Sequence, residues 1–283
     1  MDKVIGVVAS PRKLGNSHVL VQLCLDAVKS CGVATELVYL HDLNIKNCRG
    51  CLACVYKGEC SIVGDDMPEL LDVFLKAKGL IVAAPTYIFS PTSIIKNVID
   101  RSMMLTPYLD MLKGQDRYAV VISIAGNPAW NHLGLTQVSQ FALAFGYQIC
   151  RRMEAFAPGP AEVLLQDQIL AEVEDMGKDL VSALQTGKSP SSTRSAVSCP
   201  LCMGDVFRLN EKGKAICVAC GAAGYINSHE DGLRLEDFSG ESNFFTPASR
   251  QEHINEWIIP SKDRFLSRRE KIKAELIRLG FKK

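Results

Sequence analysis

Cys48, Cys51, Cys54 and Cys60 form a Cys-x2-Cys-x2-Cys-x5-Cys run. Three thiols at three-residue spacing, with a fourth shortly after, can each take a different corner of one polynuclear centre, as in a 4Fe-4S cluster. A single structural zinc suits this loop less well, because zinc usually takes two separated Cys-x2-Cys knuckles that close a tetrahedron from opposite sides. Adventitious zinc, no metal, or redox disulfides are the alternatives. Gly50, Gly58 and Gly64 favour close wrapping of backbone on a cluster, and Tyr56, Lys57 and Glu59 in the last spacer place one side of the loop at solvent.

The knuckle pattern is also present. Cys199-x2-Cys202 and Cys217-x2-Cys220 flank fourteen residues in which Val206 to Leu209 and Lys214 to Ile216 read as a hairpin turning at Asn210 to Gly213. Knuckles at the ends of a hairpin make the four-thiolate site of a zinc ribbon. Rubredoxin-like iron uses similar knuckles, but the aromatic-rich composition expected with it is missing. So small a module needs its metal to fold, and a structural role is the default. Its basic residues Arg208, Lys212 and Lys214 are opposed by Asp205 and Glu211, which argues against nucleic acid and leaves contact with a partner or with the rest of the chain.

A different chemistry is written into Ser10 to Ser17, which follows an apolar strand and opens a helix. Unpaired amides and the positive end of the dipole at a helix N-terminus suit a phosphate. Ser10, Asn16 and Ser17 add short donors, Arg12 a charge, and Gly15 frees the turn. Neither Gly-x-Gly-x-x-Gly nor Gly-x4-Gly-Lys-[Ser/Thr] occurs there, and a simple N-cap turn is the bland alternative. Pro85 and Tyr87 then offer a rigid, partly aromatic wall for a flat ring, with Ser90 and Pro91 expected to cap and start the next helix. In the loop Ser123 to Asn127, small residues such as Ala125 and Gly126 allow backbone to approach a ligand.

The elements that must position these residues alternate. Val4 to Ala9, Thr35 to Leu40, Leu80 to Ala84, Tyr118 to Ile124 and Tyr147 to Met153 read as strands. Ser17 to Ser30, Met67 to Ala77, Ile94 to Ser102, Leu133 to Phe145 and Ala161 to Leu184 read as helices. Near-continuous apolar strands separated by helices predict an α/β, flavodoxin-like, doubly wound parallel five-stranded sheet of order 2-1-3-4-5. Loops after parallel strands share the carboxyl edge, so the cysteine run after strand two is expected near the phosphate loop, or reaching across to a second subunit.

Residues 1–187 form this domain, 188–198 a Ser-rich linker, 199–228 the ribbon-like module and 229–283 a C-terminal extension. In the extension, Phe265, Ile272, Leu276 and Leu279 share one face of an amphipathic helix spanning Asp263 to Phe281, while Arg268, Lys271 and Arg278 lie elsewhere. A helix packed on its own domain or on a second subunit is expected, with anionic lipid or nucleic acid as alternatives. The net charge of +1 gives no global field for nucleic acid or membrane. No apolar stretch approaches the ~18 residues of a membrane span, and the chain begins directly with a strand-like run, so a cytoplasmic protein is expected. Eleven cysteines in that setting point to metal or redox chemistry, with Cys24, Cys31 and Cys150 read as packed or idle thiols.

The loop Ser10 to Ser17, the Pro85-Thr86-Tyr87 turn and the stretch Lys96 to Arg101 resemble the NADPH-dependent FMN reductase family. The compact cysteine run adds a resemblance to the iron-sulfur flavoproteins of anaerobic microbes, and the likeness covers about residues 1–187. The resemblance implies FMN, its phosphate held by Ser10, Arg12, Asn16 and Ser17 around Gly15. It implies a ring lined by Pro85, Thr86, Tyr87, Ile88, Phe89, Ala125 and Gly126, although the third loop lacks the Gly-Gly pair often found there. It further implies a homodimer or homotetramer.

The expected function is that of an FMN-dependent oxidoreductase or electron-transfer iron-sulfur flavoprotein. Electrons would pass between NAD(P)H or a ferredoxin-like donor, FMN and a 4Fe-4S cluster on Cys48, Cys51, Cys54 and Cys60, with zinc on Cys199, Cys202, Cys217 and Cys220. The alternatives are a cluster-free NAD(P)H-dependent flavin, quinone or nitro-compound reductase, and a non-enzymatic redox-sensing flavoprotein. No side chain is assigned as acid, base or nucleophile. His18, His41 and His132 read as solvent-facing or capping residues.

Overall fold

Apolar runs bounded by turn residues form a parallel sheet from β1 (Lys3–Val8), β2 (Ala34–Tyr39), β3 (Gly79–Tyr87) with its short antiparallel partner β4 (Ser90–Pro91), β5 (Tyr118–Ala125) and β6 (Gln148–Phe156). The computed structural model describes residues 3–190, 197–229, 232–239 and 243–281. The order β2-β1-β3-β5-β6 is the expected flavodoxin-like one.

Alternation along the strands supplies two cores. Ile5, Val7, Leu80, Val82 and Val121 face α3 (Met67–Lys76), α4 (Ser93–Asp100) and α6 (Gly134–Ala144) through Phe74, Val98 and Phe141. Val4, Val8, Ile81, Val120 and Ile122 face α1 (Asn16–Ser30) and α7 (Asp167–Thr186) through Val21, Cys24 and Met176. Both faces are covered, hence the near-continuous hydrophobic strands. Two single turns, α2 (Ala53–Tyr56) and α5 (Leu109–Leu112), lie in the connections.

The expectation that Ser90 and Pro91 begin a helix is corrected. They pair back on β3 as Tyr87↔Ser90 and Thr86↔Pro91, and α4 starts at Ser93 after Thr92. The two-residue turn that makes this possible has Ile88 at φ 49° and Phe89 at φ 68°. Positive φ at both central positions matches the twist of a tight hairpin, and for a β-branched residue it is strained.

The cysteine module is a four-stranded antiparallel sheet of order β10-β9-β8-β7. Strands β7 (Phe207–Leu209) and β8 (Lys214–Cys217) are the expected hairpin, and β9 (Ala223–His229) and β10 (Gly232–Ser239) continue the sheet past Ser228. The buried apolar cluster beneath α6 extends into the module through Met203, Ala219 and Ala222. Gln140 donates to the Val218 carbonyl at 2.9 Å, and Arg152 on β6 donates to the Met203 carbonyl.

The C-terminal helix begins earlier than its amphipathic pattern suggests. A run from α8 (Pro247–Glu252) through a π-helical stretch His253–Ile258 into α9 (Ile259–Arg278) is helical throughout. Ile254 and Ile258 pack with Leu109, Leu52 and Val55, and the Tyr56 hydroxyl donates to the Ile258 carbonyl at 2.9 Å. Beyond Ile258, α9 has no buried residue, so its apolar face does not pack on its own domain. No helix among the described residues is long and apolar enough to cross a membrane.

Candidate cofactor cleft and metal centres

Loops at the carboxyl ends of β1, β3, β5 and β6 line one cleft. Ser10, Arg12, Gly15, Asn16 and Ser17 line one side, and Pro85, Thr86, Tyr87, Ala125 and Gly126 line another. Ile88 and Phe89 stay outside: they form the hairpin tip, where Phe89 stacks on Trp130 with centroids 5.0 Å apart and on His132 at 4.9 Å. Sequence reasoning missed the fourth wall, Ala157, Pro158 and Pro160. The Pro-Gly-Pro text after the fifth strand was the available signal, because it stops β6 on the same edge.

The N-terminus of α1 opens into this cleft. Its N-cap, Gly15, offers no side-chain acceptor, so the first-turn amides keep free donors, and the hydroxyls of Ser10 and Ser17 are buried beside them. Such a donor set fits a phosphate. Asn16 works differently from the expectation. Its Nδ2 donates to the carbonyls of Ala157 at 3.1 Å and Gly159 at 2.9 Å, and its Oδ1 accepts from Val163 N–H at 3.3 Å. The side chain clasps the fourth wall and leaves its backbone amide for an anion.

Behind Thr86 lies a buried polar network. Its Oγ1 is 2.5 Å from Asn131 Oδ1 and 3.0 Å from Ser123 Oγ, Ser123 Oγ donates to Asn131 Oδ1 at 3.0 Å, and Asn131 Nδ2 donates to Glu154 Oε1 at 2.7 Å. The Glu154 carboxylate holds the amide with Oδ1 toward the hydroxyls, so both donate to it and Thr86 presents an acceptor to the cleft. A Cβ at Gly134 would sit 2.1 to 2.4 Å from three of these oxygens, so α6 must start with glycine. Burial, then the charge of Asp205, raises the pKa of Glu154. Asn131 and Glu154 carry no spacing signal in sequence.

Cys48, Cys51, Cys54 and Cys60 line a second cavity with Arg101, Met103 and Met104. It shares no lining residue with the cleft, which corrects the expectation that the run lies beside the phosphate loop. The chain does start at the carboxyl edge, where Lys13 pairs with Asp42. It then runs down along α4: Asn97 Nδ2 donates to the Ile45 carbonyl and Arg101 Nη1 to that of Lys46, both at 2.8 Å. The eight residues of α4, about 12 Å of helix, run from the hairpin beside the cleft to Arg101 at the cysteine cavity.

The hydrogen bond with Ser61, 3.1 Å from its Sγ, lowers the pKa of Cys51, while burial and then Cys60 raise that of Cys54. Arg101 Nη2 donates to Cys60 Sγ at 3.5 Å, and among the described residues its Nε is the buried side-chain polar atom left without a partner. Four thiols around one cavity with an N–H in need of an acceptor fit an iron-sulfur cluster.

The distal thiols differ in compactness. Cys199 and Cys220 are 3.7 Å apart, Cys202 and Cys217 3.5 Å, all four are buried, and their sulfurs lie within 4.8 Å of one another. Thiolates about 2.3 Å from one tetrahedral ion lie roughly 3.8 Å apart, so the arrangement fits a single metal ion. Hydrogen bonds from Cys202, Cys217 and Cys220 push the Cys199 thiol well below its ordinary range.

The family model for NADPH-dependent FMN reductase matches residues 3–152. The chain belongs to this family. Within it, the chain is 38% identical over 103 residues to an iron-sulfur flavoprotein of Methanocaldococcus jannaschii, 36% of this chain and 53% of that protein. It is 25% identical over 202 residues to a flavone synthase of Aspergillus candidus, 64% of this chain and 62% of that protein. The chain spans about half the length of the curated iron-sulfur flavoproteins it matches. A solved structure described as a flavone reductase superposes with a TM-score of 0.76 at 21% identity, covering 99% of this chain and 98% of that one. The fold of the sheet domain together with its C-terminal segments therefore occurs elsewhere as one architecture.

Proposed function

We propose that this chain is an FMN-dependent oxidoreductase of the iron-sulfur flavoprotein type, with a 4Fe-4S cluster on Cys48, Cys51, Cys54 and Cys60 and zinc on Cys199, Cys202, Cys217 and Cys220. The observation that carries the reading is the cleft: an uncapped helix N-terminus with buried Ser10 and Ser17 at one end, and Pro85, Thr86 and Tyr87 at the other. When bound, FMN takes two electrons as hydride and releases them singly, and a cluster handles them one at a time. The α1 amides, Ser10, Ser17 and Arg12 hold the phosphate. Pro85 and Tyr87 bound the ring, and the Thr86 acceptor selects an N–H on its edge. NAD(P)H or a ferredoxin-like protein is the donor.

A homodimer or homotetramer belongs to this reading. The cluster cavity lies apart from its own cleft, and α9 leaves Phe265, Ile272, Leu276 and Leu279 exposed, a stripe a second copy can cover.

Similarity to the flavone synthase favours a second reading, a cluster-free NAD(P)H-dependent reductase of flat aromatic compounds. Anaerobic purification with an absorption spectrum and metal analysis separates the two. Flavin bands with a broad shoulder at about 400 nm and stoichiometric iron support the cluster; flavin without iron sinks it. A preparation that binds no FMN removes both readings.

A further inference from the structure

Arg101 is more elaborately held than an ion pair requires. It ends α4, its side chain is 1% exposed, and Nη1 lies 2.5 Å from Asp65 Oδ2, itself fully buried. Nη1 also donates to the Lys46 carbonyl, while Nη2 spans Asp65 Oδ1 at 3.4 Å, Cys60 Sγ at 3.5 Å and Met104 Sδ at 3.5 Å. Asp65 is anchored in turn by the Lys46 N–H at 3.0 Å. The guanidinium is thus fixed in plane, with its carboxylate behind it and the cysteine cavity in front.

Within the protein this arrangement is incomplete. Nε is buried and has no acceptor, and a buried N–H left unmade opposes folding. Pairing with Asp65 alone does not explain why the guanidinium also reaches a ligand thiol. Sulfur atoms of a bound centre add acceptors beyond the Cys60 and Met104 sulfurs that Nη2 already reaches.

We infer that Arg101 is a positioning residue for the Cys48–Cys60 centre: it holds Cys60 in place and presents the positive end of the Arg101–Asp65 pair to the cluster. The inference rests on the cluster reading above. Hydrogen bonds and positive charge at cluster sulfurs stabilise the more negative, reduced state, so Arg101 raises the reduction potential and slows cluster loss. Asp65 opposes the first effect by neutralising the guanidinium.

The test is a redox titration of the full chain, purified anaerobically and reconstituted with iron and sulfide, following flavin and cluster in one sample. Arg101→Gln is expected to move the cluster potential downward and speed iron release to a chelator severalfold, with the flavin potential unmoved. Arg101→Lys, which keeps charge but loses the fork, should recover part of the shift. Asp65→Asn should move the potential upward. Opposite signs at the two partners are the signature, because mere loosening of the loop moves both variants the same way.

Wild-type potential and iron retention in the Arg101 variants, or a shared sign with Asp65→Asn, overturn the inference and leave the cluster reading standing. Wild-type protein that binds FMN but takes up no iron overturns both. Should Arg101→Gln fail to fold, Arg101→Lys and Asp65→Asn still decide the sign.

Discussion

Arg152 on the edge strand β6 donates to Asp205 of the cysteine module at 3.0 Å, so the sheet and the module share a charged fastening. Two residues further along the strand, Glu154 feels the Asp205 charge and holds Asn131, which reaches Thr86 in the cleft. The module is therefore connected to the cofactor edge by a short run of polar contacts.

Arg152→Ala removes this pair and the bond to Met203. With Asp205 largely exposed the pair contributes at most about 1 kcal/mol, so the FMN reductase domain should melt as before. Limited proteolysis should cut faster between the domain and the module. Unchanged cleavage would show that apolar packing alone docks the module.

Asn16→Ala releases the fourth wall of the cleft by deleting three hydrogen bonds. At about 1 kcal/mol for each bond, FMN affinity should fall tenfold or more. Titration of the apo-protein by flavin fluorescence measures it, and a wild-type dissociation constant would contradict the clasp.

Cys202→Ser should cost the distal site its metal, because serine leaves a four-thiolate tetrahedron one ligand short. The module is too small to stay folded without it. Metal analysis should show one ion lost per chain, and amide exchange should rise in 199–239 while β1 to β6 stay protected.

Burial alone would raise the pKa of Asp65, but hydrogen bonds from Arg101 and Lys46 outweigh it and hold the pKa below 3.8. The folded state thus favours the carboxylate. Its contribution is complete above 3.8 and disappears as pH falls through the folded value. Urea unfolding from about pH 5 to about pH 2.5 should therefore weaken less steeply in Asp65→Asn than in wild type, although the variant is less stable at neutral pH, where a broken buried pair costs about 3–5 kcal/mol.

Ile88→Gly relieves a β-branched residue at φ 49° on an exposed tip. Removing about 1 kcal/mol of strain should raise the melting temperature by roughly 2 °C, with FMN affinity unchanged because Ile88 does not line the cleft.

The local sequence determined the elements and the donor sets. Alternation and near-continuous apolar runs specify β1, β2, β3, β5 and β6 as buried parallel strands, because only a sheet covered on both faces tolerates them. Spacing assigned Cys199, Cys202, Cys217 and Cys220 to one small site, since two knuckles on a hairpin have few other ways to meet. Tertiary structure decided what depends on contacts distant along the chain. Asn16 clasps carbonyls at 157 and 159, Glu154 orients Asn131 toward Thr86, and the cysteine run descends along α4 to Arg101 rather than staying beside the phosphate loop. None of these pairings leaves a periodic trace, because a hydrogen bond between distant residues needs one donor and one acceptor in place, not a pattern. The sequence named the groups able to do the chemistry, and packing of the long loop after β2 against α4 set which of them face each other.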